Sequence, residues 1–132
     1  MWERSKDLRL FALMIIPSGW HTLTPRIFTD DPHGLVAFLK RVFDAKGAYR
    51  ESRPTELRIG DSMLMVSGTE ARAAMAVCLY VYVTDVDAVY SSAVAAGARS
   101  VEAPAVMPYG DRRAMVEDAW GNVWQIATYL SR

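Results

Sequence analysis

Apolar residues recur at three- and four-residue steps from Asp31 to Ala48, DPHGLVAFLKRVFDAKGA, and this spacing predicts one amphipathic helix. Leu35, Phe38, Leu39 and Val42 make its buried stripe, and Phe43 widens it. Asp31 suits the N-cap, Pro32 the first helical position, and Gly47 the left-handed stop. The plan returns in Asp85 to Ala98, DVDAVYSSAVAAGA, with an Asp cap and a closing Gly97. An extended run precedes each helix: Trp20 to Thr29 in the first case, Met75 to Val83 in the second. Strand-like segments follow each. After the first come Ala48 to Ser52 and a hairpin of Thr55 to Ile59 and Ser62 to Val66 around Gly60-Asp61. After the second come Ser100 to Met107, Arg113 to Glu117 and Val123 to Tyr129. The repeat predicts an α+β fold of two βαβββ modules, 19–68 and 75–130, within one structural domain. Residues 1–18 read as a leader, either poorly ordered or supplying an extra edge strand from Leu8 to Ile16.

Strand parity assigns faces, because successive side chains point to opposite sides of a sheet. Val77, Leu79, Val81 and Val83 belong under the second helix, which leaves Ala76, Cys78, Tyr80 and Tyr82 on the concave side. Trp124 and Ile126 fall on the helix side, with Val123, Gln125 and Ala127 opposite. In the first run Leu23 and Ile27 face the helix, and Thr22, Thr24, Arg26 and Phe28 face inward. Further on, Met63 and Met65 are expected beneath the helix, and Ser62, Leu64 and Val66 inward.

Charge narrows the partners. The 15 basic and 15 acidic residues balance to zero, and neither sign forms a block. This lacks the electrostatic footprint of a nucleic-acid or anionic-membrane binder, so a small molecule or a second copy is expected instead. The apolar run Leu10 to Ile16 is too short to span a bilayer, and Glu3 and Asp7 interrupt the basic flank that a signal peptide needs. A single cysteine, Cys78, cannot close an internal disulfide, which points to a reducing cytoplasm.

GWHTLTPRIFTDD, ELRIGDSMLM, VYVTDVDAVYSSAVAAGA and YGDRRAMVEDAWGNVWQIAT stand in order along the chain. Together they resemble the vicinal-oxygen-chelate superfamily (glyoxalase I, bleomycin-resistance proteins, extradiol dioxygenases), most closely its PhnB-like branch. The resemblance implies an incomplete barrel of two βαβββ modules around a ligand cavity, commonly within a homodimer. Metal-using members place ligands at inward positions on four strands. Seven residues before each helix-opening Asp stand Thr24 and Cys78; four residues after each hairpin glycine stand Leu64 and Gln125. Leucine has no donor atom and threonine is a poor ligand, so neither a metal nor another cofactor is expected. His21 has the wrong parity, and His33 belongs to the first turn of a helix.

What remains suits a binding pocket. Phe28, Tyr80 and Tyr82 offer flat faces; Thr24, Arg26, Ser62 and Gln125 offer hydrogen bonds; Leu64 and Cys78 complete the lining. Tyr109 and Trp120 lie in turns placed to close the mouth. No catalytic residue is assigned, since Cys78 has no inward histidine to activate it. The expected function is metal-free binding of an aromatic or amphipathic drug or metabolite, as bleomycin-resistance members sequester antibiotics. Two alternatives stay open. One is a lyase, isomerase or dioxygenase, using either a metal held in unexpected register or acid–base work by Glu117 and Tyr80; the other is a dimeric structural protein whose own side chains fill the cavity.

Overall fold

The computed structural model describes residues 15–131, so the expected leader strand lies largely outside the described residues. Two sheets stand side by side without closing a barrel. The first holds β1 (Arg26–Phe28), β3 (Ser62–Ser67) and β2 (Thr55–Ile59) in that order, with α1 (Pro32–Phe43) following β1. The second runs β4 (Cys78–Tyr82), β7 (Val123–Tyr129), β6 (Asp111–Glu117), β5 (Arg99–Val106), with α2 (Val86–Ala95) following β4. β1 pairs parallel with β3, and β4 parallel with β7; the other pairings are antiparallel. Between the sheets the described backbone makes one bridge, in which Met75 N–H donates to the Phe28 carbonyl at 3.0 Å. Among the described residues no helix is long and apolar enough to cross a membrane.

α1 forms for the reasons its spacing gives. Asp31 accepts from Gly34 N–H at 3.0 Å as the N-cap, and Leu35, Val36, Phe38, Leu39, Val42 and Phe43 are buried. The helix stops earlier than expected. Asp44, not Gly47, takes the left-handed conformation (φ 55°) and donates its N–H to the Leu39 carbonyl. Gly47 is needed for another reason: at φ 143° its α-carbon lies against the Glu56 carbonyl, where a Cβ has no room.

Three other expectations are corrected. The strand expected at Ala48 to Ser52 does not form, so among the described residues the first sheet has three strands. Thr55 Oγ1 accepts the Arg50 N–H at 2.9 Å and Ser52 sits at φ 59°, which bends the chain away from a ladder. The run Trp20 to Thr29 contributes only Arg26–Phe28, and Leu23 is 79% exposed. Pro25 limits that strand: it has no N–H, though its carbonyl still accepts from Met65 at 2.9 Å. The faces of β3 are also reversed. Leu64 and Val66 pair with Leu57 and Thr55, lie 5% and 0% exposed under α1, and belong to the core. Met63 and Met65 stand opposite Arg58 and Glu56 on the concave side.

One core serves both halves. Phe43 of α1 meets Trp124 of β7 with ring centres 5.2 Å apart, and Trp124, Ile27, Leu35, Leu39, Leu57 and Ile126 are fully buried. Each such side chain contributes about 1.5–3 kcal/mol of transfer free energy, which makes this shared layer the main constraint on how the sheets sit.

Candidate functional site

A cleft of about 840 Å³ opens where β1 and β4 part. Leu23 and Pro25 flank it on one side and Leu79 to Thr84 on the other; Val42, Phe43 and Trp124 lie behind, and the Gly60-Asp61 turn lies at one end. Its walls are mostly aliphatic and aromatic, with Tyr80 and Tyr82 along the β4 edge.

Beyond the cleft edge the two tyrosines build a polar ledge on the second sheet. Their rings lie 5.3 Å apart at 55°, and both hydroxyls donate to Asp111 Oδ2, at 2.7 Å from Tyr80 and 3.0 Å from Tyr82. Asp111 starts β6, so each tyrosine must cross β7 to reach it. Ala127, the cross-strand partner of Tyr82, is small enough to let this happen and is itself 0% exposed as a result. The network continues outward. Tyr109 OH lies 3.0 Å from Tyr80 OH and accepts from Arg113 Nη1 at 3.1 Å, and Arg113 Nη2 donates to Glu102 at 2.8 Å. A phenol has one proton. Since Tyr80 commits its own to Asp111, Tyr109 must donate to Tyr80, and the chain runs in one direction from guanidinium to buried carboxylate. Loss of solvent, then the bonds to Tyr109 and Asp111, push the Tyr80 phenol well above its ordinary range. Burial works against the charge on Arg113, but the bonds and charges of Glu102 and Tyr109 together more than offset it.

The remaining candidate residues scatter. Cys78 is exposed, and its thiol donates to Gln125 Oε1 at 3.8 Å, on the same concave side as Tyr80. Arg26 lies 4.6 Å above the Phe28 ring and donates to Ser67 at 2.9 Å, but on the first sheet. Ser62 is exposed at the cleft end and donates to Asp61, and Thr24 precedes β1 outside any strand. Trp120 is not at the concave mouth. Its ring packs edge-on against Phe38, and its indole N–H donates to Asp31 at 3.2 Å, which places it on the helix side. Asp111, Glu102 and Arg113 were not singled out by sequence reasoning. In β6 Ala114 and Val116 are buried on the helix side, which leaves Arg113, Met115 and Glu117 on the concave side with Asp111, and nothing in that alternation marks the aspartate as buried.

The residues present do not fit a resident metal ion. Leu64 points into the core and its concave neighbours on β3 are thioethers, Thr24 lies outside the strand, and Cys78 is bonded to Gln125. Among the described residues no three His, Cys, Asp or Glu side chains converge. His21 is exposed at the cleft margin, and His33 stacks edge-on with Tyr49 at 5.0 Å.

A family model, Glyoxalase/Bleomycin resistance protein/Dioxygenase superfamily, matches residues 19–126. Among solved structures the chain is similar to TioX from Micromonospora sp. ML1, with 27% identity and a TM-score of 0.72 over 83% of this chain and 99% of that one. It is also similar to a glyoxalase/bleomycin resistance protein/dioxygenase family enzyme from Burkholderia phytofirmans PsJN: 26% identity, TM-score 0.72, 81% and 97% coverage. A glyoxalase-related enzyme from Fulvimarina pelagi, at 20% identity and a TM-score of 0.65, over 82% of this chain and 87% of its own, shares the fold. No curated protein matches the sequence.

Proposed function

Because this chain belongs to the Glyoxalase/Bleomycin resistance protein/Dioxygenase superfamily, we propose that it binds and sequesters a flat aromatic or amphipathic small molecule without a resident metal. The observation that carries the reading is the pairing of an apolar cleft of about 840 Å³ with two half-exposed tyrosine rings on its wall. Volume and lining of this kind suit a drug-sized ligand held by shape and stacking, with a few polar groups fixing its orientation. The reading includes a homodimer in a reducing cytoplasm. Its supports are the exposed concave side of each sheet, which a second copy would cover, and the single cysteine.

A thermal-shift panel of planar drugs and metabolites tests it. A true ligand at 100 times its dissociation constant adds about 2.7 kcal/mol of stability. Tyr82→Ala is expected to erase that gain, over and above the lower unliganded midpoint that follows from removing its hydroxyl bond to buried Asp111. If no compound moves the midpoint, sequestration is the wrong function, and a dimer with a filled cleft takes its place.

A further inference from the structure

Positive charge gathers on the first sheet, apart from the cleft. Arg26 donates its Nε–H to buried Ser67 and lies 4.6 Å from the centre of the Phe28 ring, so its guanidinium is held in place. Arg72 brings a second guanidinium to 5.7 Å from the same ring. Next to Arg26 is a hollow of about 170 Å³ whose lining includes Ser52, Arg53, Ser67, Gly68 and Glu70, and none of these lines the cleft. Among the described residues none of Arg26, Arg53 and Arg72 forms an ion pair. Glu70 is the one carboxylate of the lining. It lies against Gly68, where a Cβ would come within 2.6 Å of its oxygen, and pairs with none of the three. Three guanidiniums around one carboxylate leave this patch positive against their mutual repulsion.

A backbone donor points the same way. Met65 N–H donates to Pro25 and the Ser67 carbonyl accepts from Thr29, so these two residues of β3 turn their backbone groups to β1, and Val66 turns its own to β2. On that alternation the Gly68 N–H, which has no backbone partner among the described residues, turns to the side where β2 has ended at Thr55. Ser52 is held on the lining at φ 59°, a costly conformation for a residue with a side chain and one that recurs at ligand sites.

We propose that this hollow is a second binding site, for a phosphoryl group. Arg26 and Arg53 supply charge-assisted donors, and the Gly68 N–H adds a neutral one. Several positive charges against one negative suit a dianion better than a single carboxylate. The hollow is smaller than a drug-sized pocket, so it takes a charged group and not a whole planar molecule. The site stands whether or not the cleft binds a ligand.

Amide chemical shifts of the full chain, titrated at low ionic strength with phenyl phosphate, inorganic phosphate and benzoate, test it. The Gly68 and Ser52 amides are expected to shift saturably with both phosphates, while Leu79 and Val81 in the cleft stay still. Benzoate is expected to bind about fivefold more weakly than phenyl phosphate. Phenyl phosphate binding more tightly than inorganic phosphate assigns the group to an ester, and equal binding assigns it to the free ion; both support the site. Arg53→Gln is expected to weaken phosphate about threefold, as is Arg26→Gln, and Glu70→Gln to tighten it about twofold. Arg53 carries no ion pair, so its replacement is the safer variant, and an unchanged thermal midpoint verifies the fold. Benzoate binding as tightly as phenyl phosphate overturns the phosphoryl assignment. Shifts that do not saturate, or that ignore all three substitutions, overturn the site and leave an adventitious ion only.

Discussion

Trp120 donates its indole N–H to Asp31 Oδ2 at 3.2 Å, across 89 residues of sequence, so the cap of α1 is held from the second half of the chain. The other oxygen of the same carboxylate caps the helix at Gly34. Gly34 itself sits so close that a Cβ would come within 2.8 Å of the Trp120 ring. Asp31→Ala removes both bonds and is expected to cost about 1–2 kcal/mol by urea denaturation. Trp120→Phe keeps most of the packing on Phe38, so a double-mutant cycle with Asp31→Ala is expected to show coupling of about 0.5–1.5 kcal/mol. Strict additivity would show that the two halves do not communicate through this bond.

Ala127 sets the height of the tyrosine ledge. Ala127→Leu inserts bulk beneath Tyr82 and is expected to destabilise by about 1–3 kcal/mol through overpacking. It is also expected to lift both hydroxyls from Asp111 and abolish binding of any compound that wild type retains. Retained binding with lost stability would separate the ledge from the ligand.

Alkaline pH reads out the Tyr80 bond. Its phenol holds a proton more tightly folded than unfolded, so its contribution is complete below the unfolded value of about 10. It is lost as pH rises above that toward the folded value. Tyr80 is expected to stay un-ionised in phenolate absorbance until the chain unfolds. Tyr80→Phe should flatten the alkaline fall in urea midpoint; an unchanged slope would count against the network.

Two positions after α1 are expected to respond in opposite directions. Gly47→Ala places a methyl against the Glu56 carbonyl at a positive φ and is expected to cost more than about 1 kcal/mol. Asp44→Gly relieves a left-handed non-glycine residue, giving up only an exposed pair with Lys46, and is expected to be neutral or to gain about 0.5 kcal/mol. Thermal melts of both variants check the pair.

These positions show why some of the molecule was legible beforehand. The stripe Leu35, Phe38, Leu39, Val42 was readable because polar neighbours break it at helical intervals, and Val77 to Val83 because its alternate positions are unlike. β3 was not, since Met63, Leu64, Met65 and Val66 are apolar on both faces. The deciding signal lay on the partner strand, where Glu56 and Arg58 mark the side away from the core. Gly47 was misread because its close approach to Glu56 is a tertiary fact, whereas a left-handed stop is a local one. Trp120 looked like a mouth residue from its turn, but the Asp31 carboxylate that claims it stands far away in sequence. The ledge depended on three separated features, namely two tyrosines, an aspartate and the alanine between them, and no local pattern links those.

A closed barrel can widen its mouth only by breaking a ladder of backbone bonds. Here the two sheets meet in the described backbone through Met75 and Phe28 alone, and side chains such as Leu23, Phe43 and Val81 fill the margins of the gap. The bore of this cleft is therefore a matter of residue size, not of strand pairing. A lineage carrying this seam can reshape the cleft by trading one aliphatic group for another, with its scaffold left intact.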